Sequence, residues 1–157
     1  MTVEIGKKAP DFNLIGSDLK PRSLNDYIGH KTLILFFPGA FTGVCTKEMC
    51  NIRDSMAKFN DIGSKVVGIS VDAPFSLAQF AKEYNLKFDL LSDSSREASR
   101  AYDSLHENFV GVKGLYASKR SAFVLDSKGI VRYKWISDDP GVEPDYSRLL
   151  EELGKVE

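Results

Sequence analysis

The chain is poor in the residues from which several common kinds of protein are built. It has only two cysteines, Cys45 and Cys50, too few for the disulfide scaffold of a small secreted domain. Its two histidines, His30 and His106, lie far from the cysteines in no ligand spacing, and the four do not suggest a tetrahedral zinc set. No metal, flavin or haem is therefore expected in this chain. The longest apolar run, Leu33 to Phe37, is far too short to span a bilayer. Cationic excess is also lacking: the formal net charge is -1, with Lys and Arg scattered along the chain, which excludes an electrostatic footprint for nucleic acid or an anionic membrane. The opening MTVEIGKKAPDF has no apolar stretch of the kind a secretory leader needs, so the expected compartment is the cytoplasm. Repeats, low-complexity tracts and Gly/Ser linkers are absent as well, and 157 residues suffice for one domain with a genuine core.

What the sequence does contain is an alternation of strand and helix signals. Thr32–Phe37 (TLILFF) is a short continuous apolar run, the mark of a strand covered on both faces, and Pro38-Gly39 stops it. Val44, Met49, Ile52, Met56 and Phe59 then recur at mostly helical spacing, which predicts a helix from about Thr42 to Phe59. Thr42 is a candidate cap, and a start nearer Cys45 fits the pattern equally. Lys65–Val71 reads as a second buried strand, followed by Asp72-Ala-Pro as a cap and helix start and by a helix over Phe75–Tyr84. A strand at Phe88–Leu91 and a short helix at Ser95–Tyr102 follow. Ser121–Leu125 and Ile130–Ile136 flank Asp126-Ser-Lys-Gly, a hairpin signal. A final amphipathic helix is predicted from Asp145 to Leu153. The fold class is α/β: a central mixed sheet flanked by helices, parallel in its first half and antiparallel in its second, laid out as in thioredoxin-like proteins.

That order puts Cys45 just beyond the C-terminal end of a strand and at the start of a helix, where open α/β sheets place their chemistry. A thiol is a useful nucleophile only as a thiolate, and free N–H groups at a helix N-terminus stabilise an anion. Thr42, three residues earlier, can bring a hydroxyl to the same turn, able to donate to the thiolate and to accept from an incoming O–H. Thiolate, hydroxyl and free N–H groups together form a receptacle for a small, polar, weakly acidic molecule. Each residue alone has a plainer explanation: a cysteine packs well as a small buried hydrophobe, and a threonine often simply caps a helix.

The second cysteine narrows the chemistry. Five residues along an α-helix advance it by about 7.5 Å and rotate it by roughly 140°, which separates the Cα atoms of Cys45 and Cys50 by ~8–9 Å. A disulfide needs less than about 7 Å. Either no bridge forms, or the helix unwinds to let it form. This spacing argues against a plain dithiol oxidoreductase.

PGAFTGVC (Pro38–Cys45) resembles the active-site motif of the peroxiredoxins, Pro-x-x-x-Thr-x-x-Cys. CTKEMC (Cys45–Cys50) looks like the peroxiredoxin Q, or bacterioferritin-comigratory, type, and FFPGAFTGVC also looks like the alkyl hydroperoxide reductase E type. The resemblance extends over nearly the whole chain, through KKAPDFNL, KVVGISVD and RSAFVLDSKGIVR. It implies a thiol-dependent peroxidase acting on hydrogen peroxide and small organic hydroperoxides, with Cys45 as the peroxidatic cysteine that becomes a sulfenic acid. Thr42 would hold the peroxide oxygens in line and Pro38 would shield the sulfur. Arg120, which opens RSAFVLD, would favour the thiolate and the charge developing on the peroxide. Glu48, one turn after Cys45, would accept from that guanidinium and steady it. In the peroxiredoxin Q type a cysteine at the offset of Cys50 is the resolving thiol, closing an intramolecular disulfide; the reductase E type can work without one, and Cys50 would then be an ordinary helix residue. Electrons would come from a thioredoxin- or glutaredoxin-like protein. Two other functions remain open at this stage: a redox sensor or holdase chaperone, and a protein thiol–disulfide oxidoreductase.

The remaining features read as structural. Phe36, Phe37, Phe41 and Trp135 are expected in the core or the site wall. Because related proteins often dimerise around this loop, Phe41 is also a candidate contact of a homodimer. Ser118-Lys-Arg-Ser and Asp138-Asp-Pro-Gly are expected to be solvated turns. Gly111–Gly114 lacks the strand-loop-helix context of a phosphate cradle.

Overall fold

In the computed structural model, which describes residues 3–157, the TLILFF run divides its side chains between two cores. Its strand, Lys31–Phe36, sends Leu33 and Leu35 to one face of a sheet and Ile34 and Phe36 to the other, as the two-residue period of a strand requires. All four are wholly buried. Burial on both faces is why the sequence shows an unbroken apolar run there and no alternation.

The sheet has seven strands. In chain order they are β1 (Asn13–Gly16), β2 (Pro21–Ser23), β3 (Lys31–Phe36), β4 (Ser64–Ser70), β5 (Asp89–Ser92), then β8 (Ser121–Leu125) and β9 (Val131–Ile136). A separate pair, β6 (Leu105–His106) and β7 (Ala117–Ser118), stands apart from it. The spatial order is β2-β1-β5-β4-β3-β8-β9. β3–β4 and β4–β5 are parallel, while β3–β8 and β8–β9 are antiparallel. Helices α1 (Gly43–Asp54), α2 (Met56–Asp61), α3 (Pro74–Tyr84) and α5 (Tyr146–Lys155) contribute Met49, Ile52, Phe59, Leu77, Phe80, Leu149 and Leu153 to one core. The other core is closed by the N-terminal segment (Val3, Phe12, Leu24, Tyr27) and by Ala98 of α4 (Glu97–Ala101). This is the expected thioredoxin-like α/β arrangement.

Three expectations are corrected. The first half of the sheet is not wholly parallel, since β1 pairs antiparallel with both β2 and β5. The β1–β2 hairpin escaped notice because only Leu14 of its seven residues is a buried apolar one. The helix over 42–59 is two helices, broken at Ser55, whose φ of -100° and ψ of 4° leave the helical region; serine competes for its own backbone and favours such ends. Asp72 is not the cap of α3, a place taken by Ala73 with Pro74 at the first helical position. Its carboxylate is used elsewhere, as described below. The other elements shift by only one or two residues, the ordinary scatter of fraying ends. The first two residues of the stretch read for a leader, Met1 and Thr2, lie outside the described residues. Among the described residues no helix is long and apolar enough to cross a membrane.

Candidate active site

Strand pairing explains how residues 75 positions apart meet. β3 and β8 run antiparallel with Phe36 opposite Ser121, so the exit of β3 and the entry of β8 share one edge of the sheet. Arg120 immediately precedes β8, and the loop leaving β3 carries Pro38, Thr42 and Cys45 to the same edge. Phe37 is still held there by its N–H to Ile69 C=O, at 3.0 Å.

The loop turns sharply into α1. Phe41 sits at φ 67°, in the left-handed region that non-glycine residues seldom enter. Its neighbour Ala40 donates its N–H to Asp72 Oδ2 at 2.8 Å, and Ser70 Oγ donates to the same oxygen at 2.6 Å. Asp72, at the end of β4, thereby fastens the loop to the adjoining parallel strand. A carboxylate at this place was visible in the sequence only as a helix cap.

Thr42 is the N-cap residue of α1, but its side chain does not cap. Its Oγ1 donates to Gly39 C=O at 2.8 Å. The single hydroxyl hydrogen is thus committed to the loop, and only acceptor lone pairs remain for a ligand. The expected donation from Thr42 to the Cys45 sulfur is not made. The first helical hydrogen bond runs from Thr46 N–H to Thr42 C=O at 2.9 Å, which leaves the N–H groups of Gly43, Val44 and Cys45 without intrahelical partners.

Cys45 is fully buried at the third helical position. Arg120 Nη2 lies 3.2 Å from its sulfur, while Nη1 is 2.7 Å from Glu48 Oε1. Arg120 is 1% exposed, so the expectation of SKRS as a solvated turn is wrong in the part that matters; Ser118 and Ser121 are buried with it. Adjacent Lys119 instead reaches a partly exposed pair with Asp138 at 2.6 Å. Arg120 also donates from Nη2 and Nε to Pro140 C=O, at 2.7 and 3.2 Å.

Burial raises the Glu48 carboxyl well above the usual carboxylate range, and the neighbouring Arg120 charge pulls it only part of the way back. For Arg120, burial acts against the charge, but Glu48 and Cys45 together more than offset it and hold the guanidinium above its ordinary value. One buried cation therefore faces two groups that both favour it.

Above the sulfur opens a pocket of about 280 Å³. Pro38, Val44, Phe109 and Pro140 give it apolar walls, and Thr42, Cys45 and Arg120 supply its polar side chains. Two of these walls were missed in the sequence. Phe109 sits in the loop between β6 and β7, beside Val110 at a left-handed φ of 50°, and no periodic signal marks it. Pro140 and Gly141 belong to the stretch expected to be a solvated turn; Asp138, Asp139 and Gly141 are exposed as expected, while the Arg120 bonds to Pro140 C=O draw the turn over the site. Phe36 and Phe37 are core residues, one on each face of the sheet. Trp135 packs half-buried against the core, and Phe41 is 46% exposed, its ring against Phe80 and Tyr84. Cys50 is half-buried on an unbroken α1, and both cysteines are free. The pocket thus surrounds Cys45, Thr42, Arg120 and Pro38, with Glu48 behind the guanidinium and Cys50 off to the side.

A buried, guanidinium-paired cysteine at a helix N-terminus on a thioredoxin-like sheet defines a thiol-based redox enzyme. Comparison with known proteins names its kind. The profile of the AhpC/TSA family matches residues 5–134, and peroxiredoxin Bcp of Bacillus subtilis is 35% identical over 137 residues, 86% of each chain. Among solved structures, peroxidoxin BcpB of Mycobacterium tuberculosis superposes with a TM-score of 0.84 at 28% identity, covering 96% of both chains. The bacterioferritin comigratory protein of Xanthomonas campestris, described for its alkyl peroxide reduction activity, gives 0.82 at 26% identity over 96% of this chain and 97% of its own. The chain belongs to the AhpC/TSA family of peroxiredoxins, and it is a thiol-dependent peroxidase whose electrons come from a thioredoxin-type reductant.

Proposed function

We propose that Cys45 is the peroxidatic residue and that it reduces hydrogen peroxide and small organic hydroperoxides. The observation that carries this reading is the Arg120 fork, with one nitrogen 3.2 Å from the Cys45 sulfur and the other 2.7 Å from Glu48. The thiolate sulfur attacks one peroxide oxygen. An S–O bond forms as the O–O bond breaks, sulfur gives up two electrons, and the departing alkoxide or hydroxide takes a proton to leave as alcohol or water. Thr42, left as an acceptor, takes the O–H of the hydroperoxide, and the free N–H groups of Gly43 to Cys45 together with Arg120 face the negative charge that develops. Pro38 covers the sulfur from solvent, and Glu48 keeps the guanidinium aimed. An organic substrate is supported by the pocket itself: about 280 Å³ with apolar walls is many times the ~30 Å³ share of a water in the liquid.

Cys50 resolves the sulfenic acid in this reading. Its thiol attacks the Cys45 sulfur, releases water and closes a disulfide, which a thioredoxin- or glutaredoxin-like dithiol then reduces. An intact α1 keeps the two sulfurs apart, so the N-terminal part of that helix melts before the bond can close. We place the activity in the cytoplasm as one domain spanning residues 1–157. A homodimer through the exposed Phe41 loop fits the same reading.

Cys50→Ser tests the resolving step. With a protein dithiol as donor, turnover is expected to fall by about 10²-fold or more, while the first peroxide equivalent is still consumed. Non-reducing mass spectrometry of the oxidised wild type should show a Cys45–Cys50 bridge. Undiminished turnover without that bridge would make the mechanism a one-cysteine one.

A further inference from the structure

The stretch expected to be a solvated turn does more than roof the pocket. Residues 137–145 leave β9, cross the site and end at Asp145, the N-cap of α5, whose carboxylate accepts from Arg148 N–H. The strap is braced from within: Asp139 Oδ1 accepts from Gly141 N–H at 2.8 Å, and Ser137 Oγ donates to Asp139 C=O at 3.0 Å. It is tied to β8 by Ser137 N–H to Arg120 C=O, at 2.9 Å.

Two contacts join this strap to the reactive machinery. One is the pair of Arg120 bonds to Pro140 C=O. The other is Glu143, which pairs with Lys47 Nζ at 3.2 Å and accepts from Asn51 Nδ2 at 3.4 Å and from Tyr146 OH at 2.5 Å. Lys47 and Asn51 are one turn apart on α1 and stand on either side of Glu48–Cys50. Further along, Arg53 Nη1 donates to Tyr84 C=O at 2.8 Å and pins the helix beyond Cys50. The helix is therefore pinned beyond Cys50, and its middle, from Lys47 to Asn51, is held to the strap through one carboxylate. That stretch, which carries Cys50, has to loosen for the two cysteines to meet.

We propose that Glu143 is a positioning residue that latches the middle of α1, from Lys47 to Asn51, to the strap and thereby sets the rate of the resolving step. The inference rests on the proposed roles of Cys45 and Cys50. While the latch holds, α1 keeps Cys45 under Arg120 and the site is ready for peroxide. When it releases, Lys47 and Asn51 lose their strap contacts together and the turn carrying Cys50 is free to swing toward the sulfenic acid. A tight latch prolongs the life of the sulfenic acid and so exposes Cys45 to a second peroxide, which would carry it to the sulfinic state. A loose latch shortens that life.

The test uses the full chain with Glu143→Ala and Glu143→Gln. Removing a half-covered ion pair and its companion hydrogen bonds is expected to speed amide exchange across residues 45–51 by about five- to tenfold. In single-turnover quench experiments with one equivalent of hydrogen peroxide, disulfide formation should accelerate by a similar factor in Glu143→Ala, with no acceleration of the preceding sulfenic acid step. Glu143→Gln keeps an acceptor for Asn51 and Tyr146 and should fall between Glu143→Ala and wild type in both readings. Sulfinic acid formation under excess peroxide should drop in the same order. A merely structural role would not speed one chemical step selectively. If wild type forms the Cys45–Cys50 disulfide but Glu143→Ala changes neither exchange nor resolution, the latch is overturned and the proposed function stands. If wild type forms no such disulfide, the resolving role of Cys50 falls, and this inference with it.

Discussion

Cys45→Ser is expected to abolish peroxide reduction, lowering the rate of the first step by more than about 10³-fold, because a serine hydroxyl is not ionised near neutral pH and is a far weaker nucleophile toward oxygen than a thiolate. The fold should survive. The side chain is wholly buried, but serine is nearly isosteric with cysteine, and its oxygen can accept from the same Arg120 nitrogen. The expected loss of stability is therefore small, within about 1.5 kcal/mol. Stopped-flow mixing with hydrogen peroxide, followed by intrinsic fluorescence and by residual peroxide, reads the rate; urea unfolding reads the stability. Measurable turnover in Cys45→Ser would remove Cys45 from the reaction and leave Cys50 as the thiol to examine.

Arg120→Ala carries two losses that can be separated. The first is catalytic: the sulfur loses its guanidinium partner, and the peroxide oxygens lose a fixed positive charge. Attack at neutral pH should slow by about 10²–10³-fold. The second is structural, since Glu48 would remain buried with its ion-pair partner gone. Breaking a buried pair from one side costs about 3–5 kcal/mol, a large part of a typical domain's stability. Adding Glu48→Gln to Arg120→Ala should restore much of that stability and none of the rate. Arg120→Lys keeps a charge but not the fork that reaches Cys45, Glu48 and Pro140 together, so it should rescue poorly.

The pH dependence of stability has a definite sign. Burial already raises the Glu48 carboxyl, and without Arg120 nothing opposes that rise. A folded state that holds a proton more firmly than the unfolded chain loses stability as pH increases. The Arg120→Ala variant should therefore weaken more steeply than wild type between the usual carboxylate range and mildly alkaline pH. Denaturant midpoints across that interval measure it, and parallel curves for the two proteins would show that Glu48 does not depend on Arg120.

The legible parts of this protein are those in which local chemistry and fold agree. TLILFF is a continuous apolar run, and KVVGIS and SAFVL are largely apolar, because each strand is covered on both faces, and Pro-Gly punctuation marked where β3 ends. Cys45 and Thr42 could be read because one turn of helix places them. Arg120 and Glu48 could be named only through a resemblance, since their meeting depends on the antiparallel pairing of β3 with β8, a contact between distant segments that no local pattern reports. Phe109, Pro140 and Glu143 were invisible for a related reason. They sit in irregular loops whose positions are set by what they touch, and two of them owe theirs to Arg120 and to one face of α1. Ser55 broke a helix whose apolar spacing continued across it, because the two helices bury the same side.

The direction of the Thr42 hydroxyl bears on which oxidants the pocket can tell apart. Its hydrogen is committed to Gly39 C=O, so it meets a guest only as a base. A hydroperoxide answers with its own O–H, whatever its carbon group. A dialkyl peroxide of similar bulk has the same weak O–O bond and no hydrogen to offer, so it forgoes the bond to that oxygen which a hydroperoxide makes. The pocket thus sorts its guests by the polarity of a single hydrogen bond, and a backbone carbonyl three residues away fixes that polarity before any guest arrives.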